Sequence, residues 1–211
     1  MKTLKIIVAM LFYSTAVLAQ EKIHEIKPKP KIKTVLGKDS RISGFGTLEM
    51  KATEFKNELT LLPGFSGGMI LNDHFVVGIG GYGIATKVGF QGVNPVSDQF
   101  LYGGYGGLLL GAIIAPKEVI HVYIPILIGA GGAYITEESP DDLIQNDDAY
   151  DESSAFFVVE PGIELEVNIT SFFRLGVGGS YRFIKQSDLE NFTDNELSNY
   201  SGNISLKFGG F

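Results

Sequence analysis

Cysteine and tryptophan are both absent from the 211 residues, and only three histidines occur. Without cysteine there is no disulfide framework, no thiolate nucleophile or metal ligand, and no lipid-bearing thiol. Beyond residue 20 the chain also lacks any purely apolar run of the ~18 or more residues that a transmembrane helix needs. Bases are fewer than acids, giving a net charge of −7 and a pI near 5.0, which argues against a nucleic-acid partner. What is abundant is glycine, at 27 residues, with no collagen-like repeat. Hydrophobic residues make up 45% and charged residues 19%, too apolar for disorder and too charged for a helical membrane bundle. The length suits one domain.

The N-terminus reads as an address. Met1-Lys2-Thr3-Leu4-Lys5 is a short basic opening, Ile6 to Phe12 is uninterruptedly apolar, and Val17 and Ala19 stand where a signal peptidase reads. Residues 1–19 are therefore expected to be a signal peptide cut before Gln20, because the apolar stretch is too short for a membrane anchor. Residues 20–40 follow as a flexible basic periplasmic tail. Lys27, Lys29, Lys31 and Lys33 alternate around Pro28 and Pro30, favouring an extended chain. A solvated linker is the plain reading of this tail, and contact with anionic periplasmic material is the sharper one.

From residue 41 the apolar residues come in segments of roughly ten that alternate with glycine, serine or charge. In residues 172–183, Phe173, Leu175, Val177, Tyr181 and Phe183 share one parity, and Arg174, Gly176, Gly178, Ser180 and Arg182 share the other. In residues 156–167, Phe157, Val159, Ile163, Leu165 and Val167 oppose Glu160, Gly162, Glu164 and Glu166. A period of two means strands with one apolar face. A soluble lipocalin-like barrel would turn that face inward. Aromatics at segment ends, glycine on the polar face and alternating connection lengths favour the opposite, a face turned to lipid.

Eight strands are predicted, at about 41–53, 61–71, 75–86, 99–115, 119–134, 154–167, 172–184 and 199–211. The connections 72–74, 116–118 and 168–171 are tight, those near 87–98, 135–153 and 185–198 are long, and 54–60 is intermediate. Short turns on one rim and long loops on the other predict an all-β, eight-stranded antiparallel transmembrane β-barrel over residues 41–211.

These segments, the signal peptide and the ending "NISLKFGGF" resemble the small outer-membrane β-barrel proteins of Gram-negative bacteria, of the OmpA- and OmpX-like kind. "RISGFG" and "GGYGGLLLG" are similar to an uncharacterised subgroup of such secreted barrels. The resemblance implies an outer-membrane location, lipid as the surrounding partner, and a terminal aromatic read by the barrel-assembly machinery. Phe211 ends the chain, yet Ile204, Leu206 and Phe208 set an outward phase that Phe211 does not share. Either a bulge at Gly209-Gly210 restores the phase, or Phe208 is the assembly signal.

Eight strands enclose a space that side chains can fill, so an open channel is not expected despite the porin-like architecture. Glycines on the inward face should leave extra room. Glu160, Glu164 and Glu166 are expected to pair with Arg174 and Arg182 on the next strand, since buried charges are costly alone. Catalysis has little to stand on: His24 lies in the tail, His74 in a turn and His121 at a strand start, none with a serine partner. No metal-ligand spacing and no cofactor motif is visible.

Eight acids crowd residues 137–152, namely Glu137, Glu138, Asp141, Asp142, Asp147, Asp148, Asp151 and Glu152. A weak divalent-cation site there is chemically reasonable, but without an EF-hand pattern a solvated anionic loop is favoured. Pro125 and Pro161 lie within adjacent strands at similar depth, where neither can donate to the ladder. They mark a possible lateral seam, unless bulges absorb them. The expected function is non-enzymatic: a monomeric barrel with a structural or interaction role, exposing acidic extracellular loops. A lipid- or small-ligand-binding barrel and an outer-membrane lipid-modifying enzyme are the alternatives.

Overall fold

The computed structural model describes residues 40–55, 58–85, 88–91, 98–136, 152–186 and 193–211. The expected signal peptide, the tail up to residue 39 and the acidic stretch 137–151 lie outside them. Among the described residues the strands are β1 (Ile42–Phe55), β2 (Glu58–Leu71), β3 (Phe75–Gly83), β4 (Val88–Gln91), β5 (Asp98–Ile114), β6 (Ile120–Thr136), β7 (Glu152–Asn168), β8 (Phe173–Tyr181), β9 (Phe183–Lys185) and β10 (Tyr200–Gly209), with one short helix, α1 (Asp194–Leu197).

Each long strand pairs antiparallel with its neighbour in the chain, and β3 pairs with β5. β1 then pairs with β10, from Phe45 opposite Gly209 to Thr53 opposite Ser201. The sheet therefore closes into a ring of eight. β4 extends the line of β3 along β5, and β9 extends β8 along β7. The sequence boundaries differ mainly here: the single segment expected at 172–184 is split in two, and β4 falls within the connection expected near 87–98. The connection expected at 54–60 is also tighter, since β1 and β2 run on to Phe55 and Glu58, paired with each other.

Parity decides which residues meet which medium. Leu48, Met50, Phe65, Ile79, Ile128, Ile163, Val177 and Ile204 all point outward and are exposed. Thr47, Lys51, Glu160, Glu164, Glu166, Arg174, Asn203, Ser205 and Lys207 point inward and are buried. An apolar exterior over a charged interior cannot be a fold for water; it matches a wall immersed in lipid. Aromatic clusters sit at both ends of the apolar belt. Tyr181 packs edge-on against Phe183 and Tyr200 near the long-loop rim, and Phe173 stacks on Phe208 near the short-turn rim.

The room expected from inward glycines is taken by neighbouring rings. A Cβ on Gly64 would fall 2.1 Å from Tyr82 Cδ1, and one on Gly111 would fall 2.5 Å from Tyr123 Cε2. Each glycine lets the ring on the next strand lie flat against the wall and reach the axis. Toward the long-loop rim an apolar cluster of Phe55, Leu62, Leu101, Ile135, Phe156 and Ile184 fills the interior. Leu197 of α1 joins it from above. Thr193 and Glu196 close a reciprocal cap that starts this helix. A smaller cluster around Phe45, Ile70, Leu109 and Ile113 lies at the other end.

Candidate functional site

Between the two apolar clusters lies a charged layer contributed by β1, β6, β7, β8 and β10. Lys51 Nζ donates to Glu160 Oε1 at 2.8 Å and lies 3.8 Å from Glu49 Oε1. The same ammonium stands 3.5 Å from the centroid of the Tyr82 ring, whose hydroxyl donates to Glu49. Glu160 also accepts from Tyr105 at 2.6 Å and from Ser180 at 2.5 Å. Glu164 accepts from Asn203 at 2.7 Å and Ser205 at 3.0 Å. Glu166 accepts from Lys207 and from His121 Nε2 at 2.9 Å, with Arg174 Nη1 at 3.5 Å.

Four carboxylates thus face four permanent cations, since Arg182 also lies buried inside. Arg182 departs from the expected pairing. Its Nε donates to the backbone carbonyl of Leu197 at 3.0 Å, and its guanidinium lies over the Phe55 and Tyr105 rings. The reason is geometric: its place near the long-loop rim sets it among the apolar cluster, where α1 offers a carbonyl. Of the two arginines, only Arg174 forms an ion pair with one of the expected glutamates. Lys51, Lys207, Asn203 and Ser205 were missed by sequence reasoning. A signal existed, because each has inward parity on a membrane strand, where a lone charge must find a partner.

The lumen holds little free space. The central cavity among Glu49, Lys51, Tyr82, Glu160, Glu164 and Asn203 measures about 30 Å³, room for a water or two. A second void in the outer apolar cluster measures about 20 Å³. At the short-turn end a cavity of about 410 Å³ opens in front of Arg174 and Phe211.

The two prolines interrupt different seams. β6 and β7 pair from Ile120 to Tyr123 and again from Ile126 to Ile135, and lapse opposite Gly162 and Ile163. Pro125 cannot donate toward the Gly162 carbonyl. β7 pairs with β8 up to Gly162 and with β9 from Val159, and lapses at Pro161. The register is unchanged across both lapses, so no bulge absorbs either proline. Pro125 therefore faces one neighbour of β7's wall and Pro161 the other. The space behind Pro125 is the 30 Å³ polar cavity, which has no room for an acyl chain.

At the C-terminus the β10 ladder runs without a bulge to Gly209. Phe208 faces outward, and Phe211 turns into the short-turn mouth, where Arg174 Cζ lies 3.7 Å from its ring centroid. Among the described residues no group of three or more potential metal ligands occurs.

A closed eight-stranded ring with an apolar belt, aromatic ends and a paired, charged lumen is a small outer-membrane β-barrel. The described chain begins and ends at its short-turn rim, the rim that outer-membrane barrels generally turn to the periplasm. The fold is similar to Neisserial surface protein A, at 16% identity and a TM-score of 0.47, covering 82% of this chain and 99% of that one. It is also similar to Ail, the attachment invasion locus protein of Yersinia pestis, at 14% identity and 0.45, covering 80% and 96%. The outer membrane protein OprG from Pseudomonas aeruginosa is similar at 12% identity and 0.40, covering 81% and 94%. No family model and no curated protein matches the sequence.

Proposed function

We propose that the protein is a non-conducting, non-enzymatic barrel that acts as a membrane-fixed scaffold for interactions at its rims. The observation that carries this reading is the filled lumen, whose central cavity of about 30 Å³ leaves no path for solute. Its charges are held as an ion-pair network, which suits a wall brace better than a conduit. Chemistry is concentrated elsewhere. His121, buried in the lumen, gives its Nε2 to Glu166, and its Nδ1 has no hydrogen-bond partner, so it activates no hydroxyl nucleophile. The outer face then carries the function, and the eight acids of 137–152 make it anionic. A basic or cation-bridged partner at that surface fits this charge. Two measurements test the reading. Planar-bilayer recordings should show no steady ohmic conductance, and a sustained open state would overturn the plug. Replacing 137–151 with a short neutral loop should abolish surface binding while the heat-modifiable band on gels persists.

A further inference from the structure

The mouth on the periplasmic rim holds a sizeable cavity lined by a deeply buried charge. Arg174 is 4% exposed, and its Nε and Nη1 make no hydrogen bond. Its nearest carboxylate, Glu166, is already held by Lys207 and by His121 Nε2. Glu164, two residues along the same strand face, is taken by the neutral donors Asn203 and Ser205, so Arg174 shares Glu166 with Lys207 and its guanidinium faces the open side. Buried donors left without acceptors are costly, more so when charged. One face of the guanidinium is covered by the Phe211 ring at 3.7 Å, which fixes its plane.

The same cavity is bordered by Arg41, Lys117, Thr170 and Ser171. Asp73 is the acid on its lining, and it lies 3.5 Å from Arg41. Lys117 stands exposed on the turn between β5 and β6. The volume, about 410 Å³, lies in the range of small-ligand sites, in contrast to the water-sized voids deeper in the lumen.

We propose that this mouth binds a compact oxyanion, a carboxylate or phosphate group presented from the periplasm. Arg174 is its buried anchor and Lys117 its rim charge. A planar guanidinium suits either group, because each offers at least two oxygens to its fork of donors. Arg174 thereby links the ligand to Glu166 and the lumen network.

The test uses the full chain, folded in detergent micelles, titrated with inorganic phosphate or acetate while chloride holds ionic strength constant. ³¹P line broadening and the unfolding temperature are read together. Saturable binding of either anion over chloride is the expected result. Lys117→Ala should weaken it about threefold, and Arg174→Lys, which keeps charge but loses the fork, about tenfold. Tighter phosphate identifies a phosphorylated source, and tighter acetate a peptide or sugar carboxylate. A response no greater than that of chloride overturns the site, as does equal binding by the parent and both variants. If Arg174→Lys does not fold, Lys117→Ala on its exposed turn decides the matter alone.

Discussion

Lys51 meets its counter-ion across the lumen, because β10 and β8 stand between β1 and β7 in the wall. Removing one partner strands a charge that has no water to turn to. Lys51→Met is expected to cost about 3–5 kcal/mol, and the further change Glu160→Gln to restore part of it. Urea unfolding in lipid vesicles, arranged as a double-mutant cycle, measures the coupling, and strictly additive losses would reject it. Outward positions follow a different rule, set by depth. Val177 lies opposite Ile204 well inside the belt, whereas Leu175 lies two residues nearer the short-turn rim. Val177→Arg should cost about 2–4 kcal/mol and Leu175→Arg less. Equal costs at the two sites in the same vesicles would mean that the belt is misplaced.

At the level of strands, three interruptions in the wall have a proline beside them. Pro63 repeats the pattern of Pro125 and Pro161, since the pairing of β2 with β3 begins only at Gly64. A donor is lost in each case without a change of register. Pro125→Ala is expected to supply the missing N–H to Gly162, giving a slowly exchanging amide at residue 125 by NMR in deuterated buffer. Rapid exchange there would show that the seam is held open by something other than the missing donor. Gly64→Ala should act oppositely. Its methyl would displace the Tyr82 ring and break the 2.9 Å bond to Glu49. A loss of about 1–3 kcal/mol is expected from the overpacking and the orphaned carboxylate.

The whole molecule was legible in the sequence to the extent that the medium alternates with every residue. Lipid on one side and lumen on the other impose a period of two, so the facing of Glu160, Arg174, Leu175 and Val177 could be read directly. The turn chemistry at Asn72-Asp73 was also visible, and both residues adopt positive φ. Partners were not visible, because ring closure joins residues with no local relation: Lys51 and Glu160 are 109 positions apart. The place of Arg182 under α1 depended on a helix of four residues that no periodicity announces. Filling of the lumen by Tyr82 and Tyr123 required knowing which glycine lay opposite each ring. Heat modifiability on gels should follow from closure as a whole. The unboiled protein is expected to migrate as a compact band and to lose it when the β1–β10 seam is disrupted by Leu206→Pro.

Closure also constrains how the protein can enter the membrane. β1 is made first, yet its wall partner β10 and its lumen counter-charge on β7 are made far later. A nascent β1–β2 hairpin left alone in hydrocarbon would carry Lys51 without its hydrogen-bonded counter-ion, with only Glu49 3.8 Å away on the same strand, and an unpaired edge along its whole length. Neither defect is relieved by adding the next hairpin, because Glu160 arrives only with β7 and the edge waits for β10. Strand-by-strand insertion is thus uphill until the last segment is in place. Delivery into the bilayer has to be a concerted event, with the charged faces kept together and shielded until the ring is complete.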